Sequence, residues 1–106
     1  MVNESWFAKM KDGTKLINTA RAAVVDQKAM IQALESGKLS GAAVDVMWIE
    51  PCPANHPFLS MEQVIVLPHQ AGATIDIDRW QSAMVLEEVK RFLAGQPLKN
   101  TFPRQS

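Results

Sequence analysis

Three short apolar runs constrain this chain more than any other feature of it. Leu16, Ile17, Asn18 and Thr19 form a brief, partly β-branched run, Ala42 to Val46 a second, and Val64 to Leu67 a third that Pro68 stops. None alternates with polar residues, so each reads as a buried strand. Helical patterns fill the intervals. Such an alternation predicts a parallel sheet covered by helices, and right-handed crossovers make it a doubly wound α/β fragment. Three strands are few, and at least one edge is bare if nothing else pairs with it.

The local punctuation places the helices. A short helix is predicted from Asn3 or Glu4 to Lys11, ended near Gly13. Asp26 is a good N-cap for a second helix with Ala29, Met30, Ala33 and Leu34 on one face, and Gly37 stands where a left-handed C-cap belongs. Glu50 to Pro57 contains three prolines and reads as a loop. The longest helix is predicted from Asp76 to Ala94, closed by Gly95 and Pro97. On it Val85, Leu86, Val89, Phe92 and Leu93 share a stripe roughly 120° wide, while Ile77, Trp80 and Met84 point nearly the opposite way. An apolar face that changes sides halfway predicts packing on two bodies, one of them this sheet and the other outside the chain.

Composition excludes several classes of function. The eleven Lys and Arg cancel the eleven Asp and Glu, which argues against a nucleic-acid footprint, an acidic tail or a polybasic membrane anchor. Cys52 is the lone cysteine, so neither a disulfide framework nor a cysteine-based zinc site is expected. No apolar run approaches the roughly 20 residues a bilayer needs, and no charged-then-apolar leader opens the chain. Gly13, Gly37, Gly41, Gly72 and Gly95 are never two apart. A G-x-G-x-x-G phosphate loop and a Walker A loop are therefore absent, and the chain is not expected to bind a dinucleotide by itself in the usual way.

In open α/β sheets ligands sit at the carboxyl ends of the strands. Arg21 lies just beyond the first run, Asp45 near the end of the second, Glu50 a few positions later, and His69 two residues past the third. A cation, two carboxylates and an imidazole on one edge compose a site that holds an anion and moves a proton. Simpler readings stand beside this one: Arg21 as a surface charge, Asp45 as a turn cap, His69 as a satisfied loop histidine. His56, beside Pro57, reads as solvated or locally hydrogen-bonded. Cys52 has no basic neighbour in sequence to activate it. Trp6, Trp48 and Trp80 read as packing anchors, Glu87, Glu88, Lys90 and Arg91 as a solvated helix flank, and Arg104 as part of a mobile tail.

The stretches FAKMKDGTKLINTAR, VVDQKAMIQALESGKLSGAAVDV, EP, HPF and VIVLPHQAGAT, in this order and spacing, closely resemble the D-isomer-specific 2-hydroxyacid dehydrogenases. The resemblance covers essentially the whole chain. It implies a partial Rossmann-like domain and an NAD- or NADP-dependent interconversion of 2-hydroxy and 2-oxo acids. It implies that Arg21 binds the substrate carboxylate and polarises the carbonyl, and that His69 exchanges a proton with the substrate oxygen. Glu50 would hydrogen-bond His69 and favour its protonated form, and Asp45 would meet the nicotinamide end of the cofactor. Backbone at Thr19 and Ala20, and at Ala71 and Gly72, would line that cofactor. The family is generally dimeric through this domain, so a homodimer is an expectation for this chain, as is a cytoplasmic location.

Two departures matter. The family usually has glycine after the arginine, where this chain has Ala22, and a positive φ there would strain alanine. The family's chain is also much longer. On this resemblance residues 1–75 correspond to the second half of the dinucleotide-binding domain, and residues 76–106 to a helix and tail that return to a substrate domain. The expectation is a proton-transfer-bearing part of a dehydrogenase, incompetent without the glycine-rich loop. The alternative is a non-catalytic remnant or interaction module of the same fold, docking on another subunit.

Overall fold

The elements follow from the punctuation of the sequence. In a computed structural model, which describes residues 1–101, Asn3 caps helix α1 (Glu4–Lys9) by accepting the Trp6 N–H on its side chain. Strand β1 (Thr14–Asn18) follows the turn at Gly13, whose φ of 77° is open to glycine at little steric cost. Asp26 Oδ1 accepts the Ala29 N–H at 2.8 Å to start α2 (Gln27–Glu35), and Gly37, at φ 75°, ends it. Strands β2 (Leu39–Val44) and β3 (Val64–Val66) complete a wholly parallel sheet in the order β1–β2–β3. The second run thus begins earlier than expected and ends before Asp45. Pro57, expected in a loop, instead starts a 3₁₀ turn over Pro57–Ser60.

The chain divides into two compact units, Met1–Ala71 and the segment from Gly72 on. The first contains the sheet and its core. Ala29, Met30, Ala33 and Leu34, the predicted face of α2, are all buried, with Met30 at 0% exposure. They pack in one cluster with Leu39, Val44 and Phe58. Burying a side chain of this size stabilises by about 1.5–3 kcal/mol. Trp48 joins the cluster, its indole N–H donating to the Val25 carbonyl at 3.2 Å and its ring edge-on to Phe58. Trp6 and Trp80 are not buried anchors; both are exposed.

The sheet departs from expectation on its other face. Parallel pairing places Ile17 beside Ala43 and Ala43 beside Ile65. That row is 73% exposed at Ile17 and 61% at Ile65. The neighbouring rows, Leu16–Ala42–Val64 and Asn18–Val44–Val66, turn toward the core. The lack of polar alternation signalled two packed faces, and within this unit one is packed.

In the second unit α3 (Ile75–Leu93) carries Asp76 and Asp78 in its first turn and Lys90 and Arg91 in its last, both favourable to the helix dipole. Val85, Leu86, Val89, Phe92 and Leu93 are exposed. Arg91 pairs with Glu87 one turn away and donates to the Pro97 carbonyl, so the charged flank is knitted as well as solvated. No helix among the described residues is long and apolar enough to cross a membrane. Arg104 lies outside the described residues.

Candidate active site

Parallel strands send the segments that follow them to one edge of the sheet, and that edge carries the polar residues singled out in the sequence. Asn18, the last residue of β1, is 6% exposed. Its side chain folds back on the next turn, with Oδ1 accepting from Ala20 N at 3.1 Å and Nδ2 donating to the Arg21 carbonyl at 3.0 Å. Thr19, Ala20 and Arg21 are exposed. The Arg21 guanidinium donates from Nη1 to the Ala20 carbonyl at 2.6 Å and makes no other hydrogen bond among the described residues. Ala22 lies in a 3₁₀ turn, Ala22–Val24. The one non-glycine residue with positive φ among the described residues is His69, so alanine does not strain the turn after Arg21.

Asp45 follows β2 and is 2% exposed. Its N–H donates to the Asn18 carbonyl at 3.0 Å. Its two carboxylate oxygens accept the backbone N–H groups of Gln70 at 2.7 Å and Ala71 at 2.8 Å. Burial pushes this carboxyl up, but the two N–H bonds and the nearby His69 outweigh it, and it lies below the usual carboxylate value.

His69 stands between β3 and that clamped pair of amides, with φ 56°. Its Nδ1 lies 2.8 Å from Glu50 Oε2, and Glu50 Oε1 accepts the Met47 N–H at 3.0 Å. The hydrogen bond from His69, then that from Met47, holds the Glu50 carboxyl below its ordinary value, and the charges of His69 and Arg21 act the same way. Glu50 and His69 also rim a cavity of about 560 Å³ walled by Met47, Pro51, Cys52, Leu59, Val66, Leu67 and Pro68. Cys52, without a basic neighbour in sequence, thus shares a cavity with an imidazole.

The edge therefore joins Glu50 to His69 directly, joins Asp45 to the loop behind His69, and brings Arg21 within electrostatic reach of Glu50. Gly72 opens the second unit. His56 is elsewhere: its Nδ1 accepts the Phe58 N–H at 3.2 Å and its Nε2 meets the Gln27 amide at 2.8 Å. The Gln27 atom placed there is Nε2; because a neutral ring that accepts at Nδ1 donates from Nε2, the hydrogen bond requires the Gln27 amide in its flipped orientation. Burial lowers the His56 pKa. Among the described residues no group of His, Cys, Asp or Glu could hold a metal ion. Sequence reasoning missed Asn18, whose bonds to residues two and three ahead are the mark of an Asx turn.

An imidazole backed by a carboxylate can pass a proton at its far nitrogen, and a guanidinium nearby can take an anion. Residues 1–71 match the family described as D-isomer specific 2-hydroxyacid dehydrogenase, NAD binding domain. The chain belongs to this family. It is 40% identical over 96 residues to a glyoxylate reductase of Thermofilum pendens, covering 91% of this chain and 28% of that protein. It is 37% identical over 98 residues to the human glyoxylate reductase/hydroxypyruvate reductase, covering 92% and 30%. Among solved dehydrogenases of the family, one from Xanthobacter autotrophicus Py2, in complex with NADPH and MES, superposes with a TM-score of 0.80 at 38% identity, over 96% of this chain and 41% of that one. The chain thus spans 28% to 30% of the length of these two curated relatives.

Proposed function

We propose that this segment supplies the proton-transfer and carboxylate-binding groups of an NAD(P)-dependent dehydrogenase that interconverts small 2-hydroxy and 2-oxo acids. The observation that carries the proposal is the 2.8 Å contact of His69 Nδ1 with Glu50 Oε2, on the sheet edge that also bears Arg21. Arg21, with most of its N–H donors uncommitted, forks onto the substrate carboxylate. His69 Nε2 gives its proton to the carbonyl oxygen in reduction and takes it back in oxidation. Glu50 orients the ring and keeps the Nδ1 proton in place.

The exposed residues Thr19 and Ala20 and, past β3, Ala71 suit the nicotinamide end of the cofactor, and Asp45 accepts the Ala71 N–H. NAD(P), when bound, donates or accepts the hydride. The 106 residues contain no G-x-G-x-x-G run to cradle its pyrophosphate. We therefore assign these residues no turnover on their own.

The test is a graft. The matching region of the Thermofilum pendens glyoxylate reductase is replaced by this chain, and 2-oxo-acid-dependent oxidation of NADH or NADPH is measured. Turnover that His69→Ala lowers by about 10²- to 10⁴-fold is the expected result. An inactive graft that folds and binds cofactor would instead favour a non-catalytic module of the same fold.

A further inference from the structure

The reactive groups of this edge are exposed, yet the two polar side chains beneath it, Asn18 and Asp45, are buried. They are the buried polar residues among those described. Neither is left without a partner, and both spend their hydrogen bonds on loops rather than on a ligand. Asn18 ties Ala20 N and the Arg21 carbonyl to the end of β1. Asp45 ties Gln70 N and Ala71 N to the end of β2. Backbone joins the two holders, since Asp45 N donates to the Asn18 carbonyl at 3.0 Å.

The Asp45 clamp explains the conformation of His69. A non-glycine residue in the left-handed region is unfavourable and persists where its surroundings fix it. Here β3 fixes the chain before His69 and the carboxylate fixes the two amides immediately after it, and the ring contacts Glu50 from this position. We propose that Asp45 is a positioning residue that pins the His69 turn and so holds the imidazole against Glu50, with Asn18 doing the same for the turn that bears Arg21. This rests on the functional reading above only for its purpose; the clamp itself is testable without turnover. Both oxygens of Asp45 keep a second lone pair, so the clamp does not prevent a contact with a cofactor amide.

The experiment follows the Glu50 carboxyl by NMR titration in the 106-residue chain, as wild type, Asp45→Asn, His69→Gln and the double variant. The groups that face Glu50 are His69, Arg21 and the Met47 N–H, and Arg21 and Met47 are unchanged throughout. An asparagine offers one acceptor to two N–H donors, so Asp45→Asn is expected to release part of the clamp. The Glu50 titration should then rise toward its ordinary value by at least half as much as in His69→Gln, and the double variant should move no further than His69→Gln alone. An Asp45→Asn titration equal to wild type, with Trp48 and Met30 resonances in place, overturns the proposal. A titration that His69→Gln does not move overturns the Glu50–His69 pair, and the proposal with it. Wild type supplies a second readout should the variants not fold. Gln70 and Ala71 amides should exchange at least about tenfold more slowly than unprotected loop amides, and exchange at the unprotected rate overturns the clamp.

Discussion

Replacing Glu50 by Gln changes one atom, and the structure turns that change into a forced choice. Both groups that bind the carboxylate are donors, the Met47 N–H at 3.0 Å and His69 Nδ1 at 2.8 Å. Glutamine offers one oxygen and one NH₂. If the oxygen stays with His69, the NH₂ faces the Met47 N–H donor to donor and the residue loses its anchor. If the oxygen stays with Met47, the NH₂ donates to Nδ1 and the ring proton moves to Nε2. A neutral ring protonated at Nε2 has no lone pair there to accept the proton of a hydroxy acid. Either way the negative charge leaves both bonds and one of the two is lost or reversed, which corresponds to about 10- to 100-fold in rate. In the grafted enzyme, Glu50→Gln should therefore lower kcat by that factor in both directions. KM for the acid should change little, because the carboxylate rests on Arg21. Glu50→Asp keeps both acceptor oxygens and the charge, drawn back by one methylene, and should retain more activity than Glu50→Gln. Steady-state rates in both directions with each variant provide the assay. Unchanged kcat, or a change confined to KM, would refute the coupling of Glu50 to His69.

The chain by itself should bind NADH weakly or not at all, for want of a pyrophosphate cradle; saturable micromolar binding in a fluorescence titration would refute this. Stability should fall in two stages on acidification. His56 is held below its ordinary value by burial, so the unfolded chain takes up that proton first and stability declines as pH drops below about 6.5. Asp45 and Glu50 are held low, so their stabilisation is complete above the usual carboxyl range near about 4 and lost as pH falls through their folded values. Thermal melts across this range should show both stages, and His56→Asn should flatten the first; an unchanged slope would exclude His56 as its source. Met30→Ala, at a site with 0% exposure, should cost about 2–5 kcal/mol in urea unfolding, whereas Ile65→Thr on the open sheet face should stay within about 0.5 kcal/mol.

What could be read in advance was local. Asp26 and Gly37 cap α2 through contacts spanning a single turn, so their signals lie within a few letters of each other. The apolar runs gave strand type and parallel pairing because buried strands need no alternation. They could not say what does the burying: Ile17 and Ile65 carry the apolar signature of a covered face while lying exposed within their unit. The pairs of the site were harder still. Glu50 meets His69 across 19 positions, and Asp45 meets Gln70 and Ala71 across 25 and 26. Family resemblance supplied the first pair; spacing alone supplies neither.

That division has a physical cause. A group that must meet substrate has to stay on the surface, so Arg21, Glu50 and His69 are exposed on segments following strands, where sequence leaves the backbone least determined. Precision then has to come from below, and an apolar floor cannot provide it, because dispersion contacts do not fix the direction of an N–H. Hydrogen bonds do, and buried ones do so without competition from water. Asn18 and Asp45 sit at the ends of adjacent strands, where the sheet is rigid and each side chain can reach the loop that leaves it. Burying a carboxylate is costly, and in this chain the cost is offset first by two backbone donors and only then by the nearby His69. A cation there would neutralise Asp45 without setting the path of the chain, whereas consecutive amides taken by one carboxylate fix the turn that carries His69.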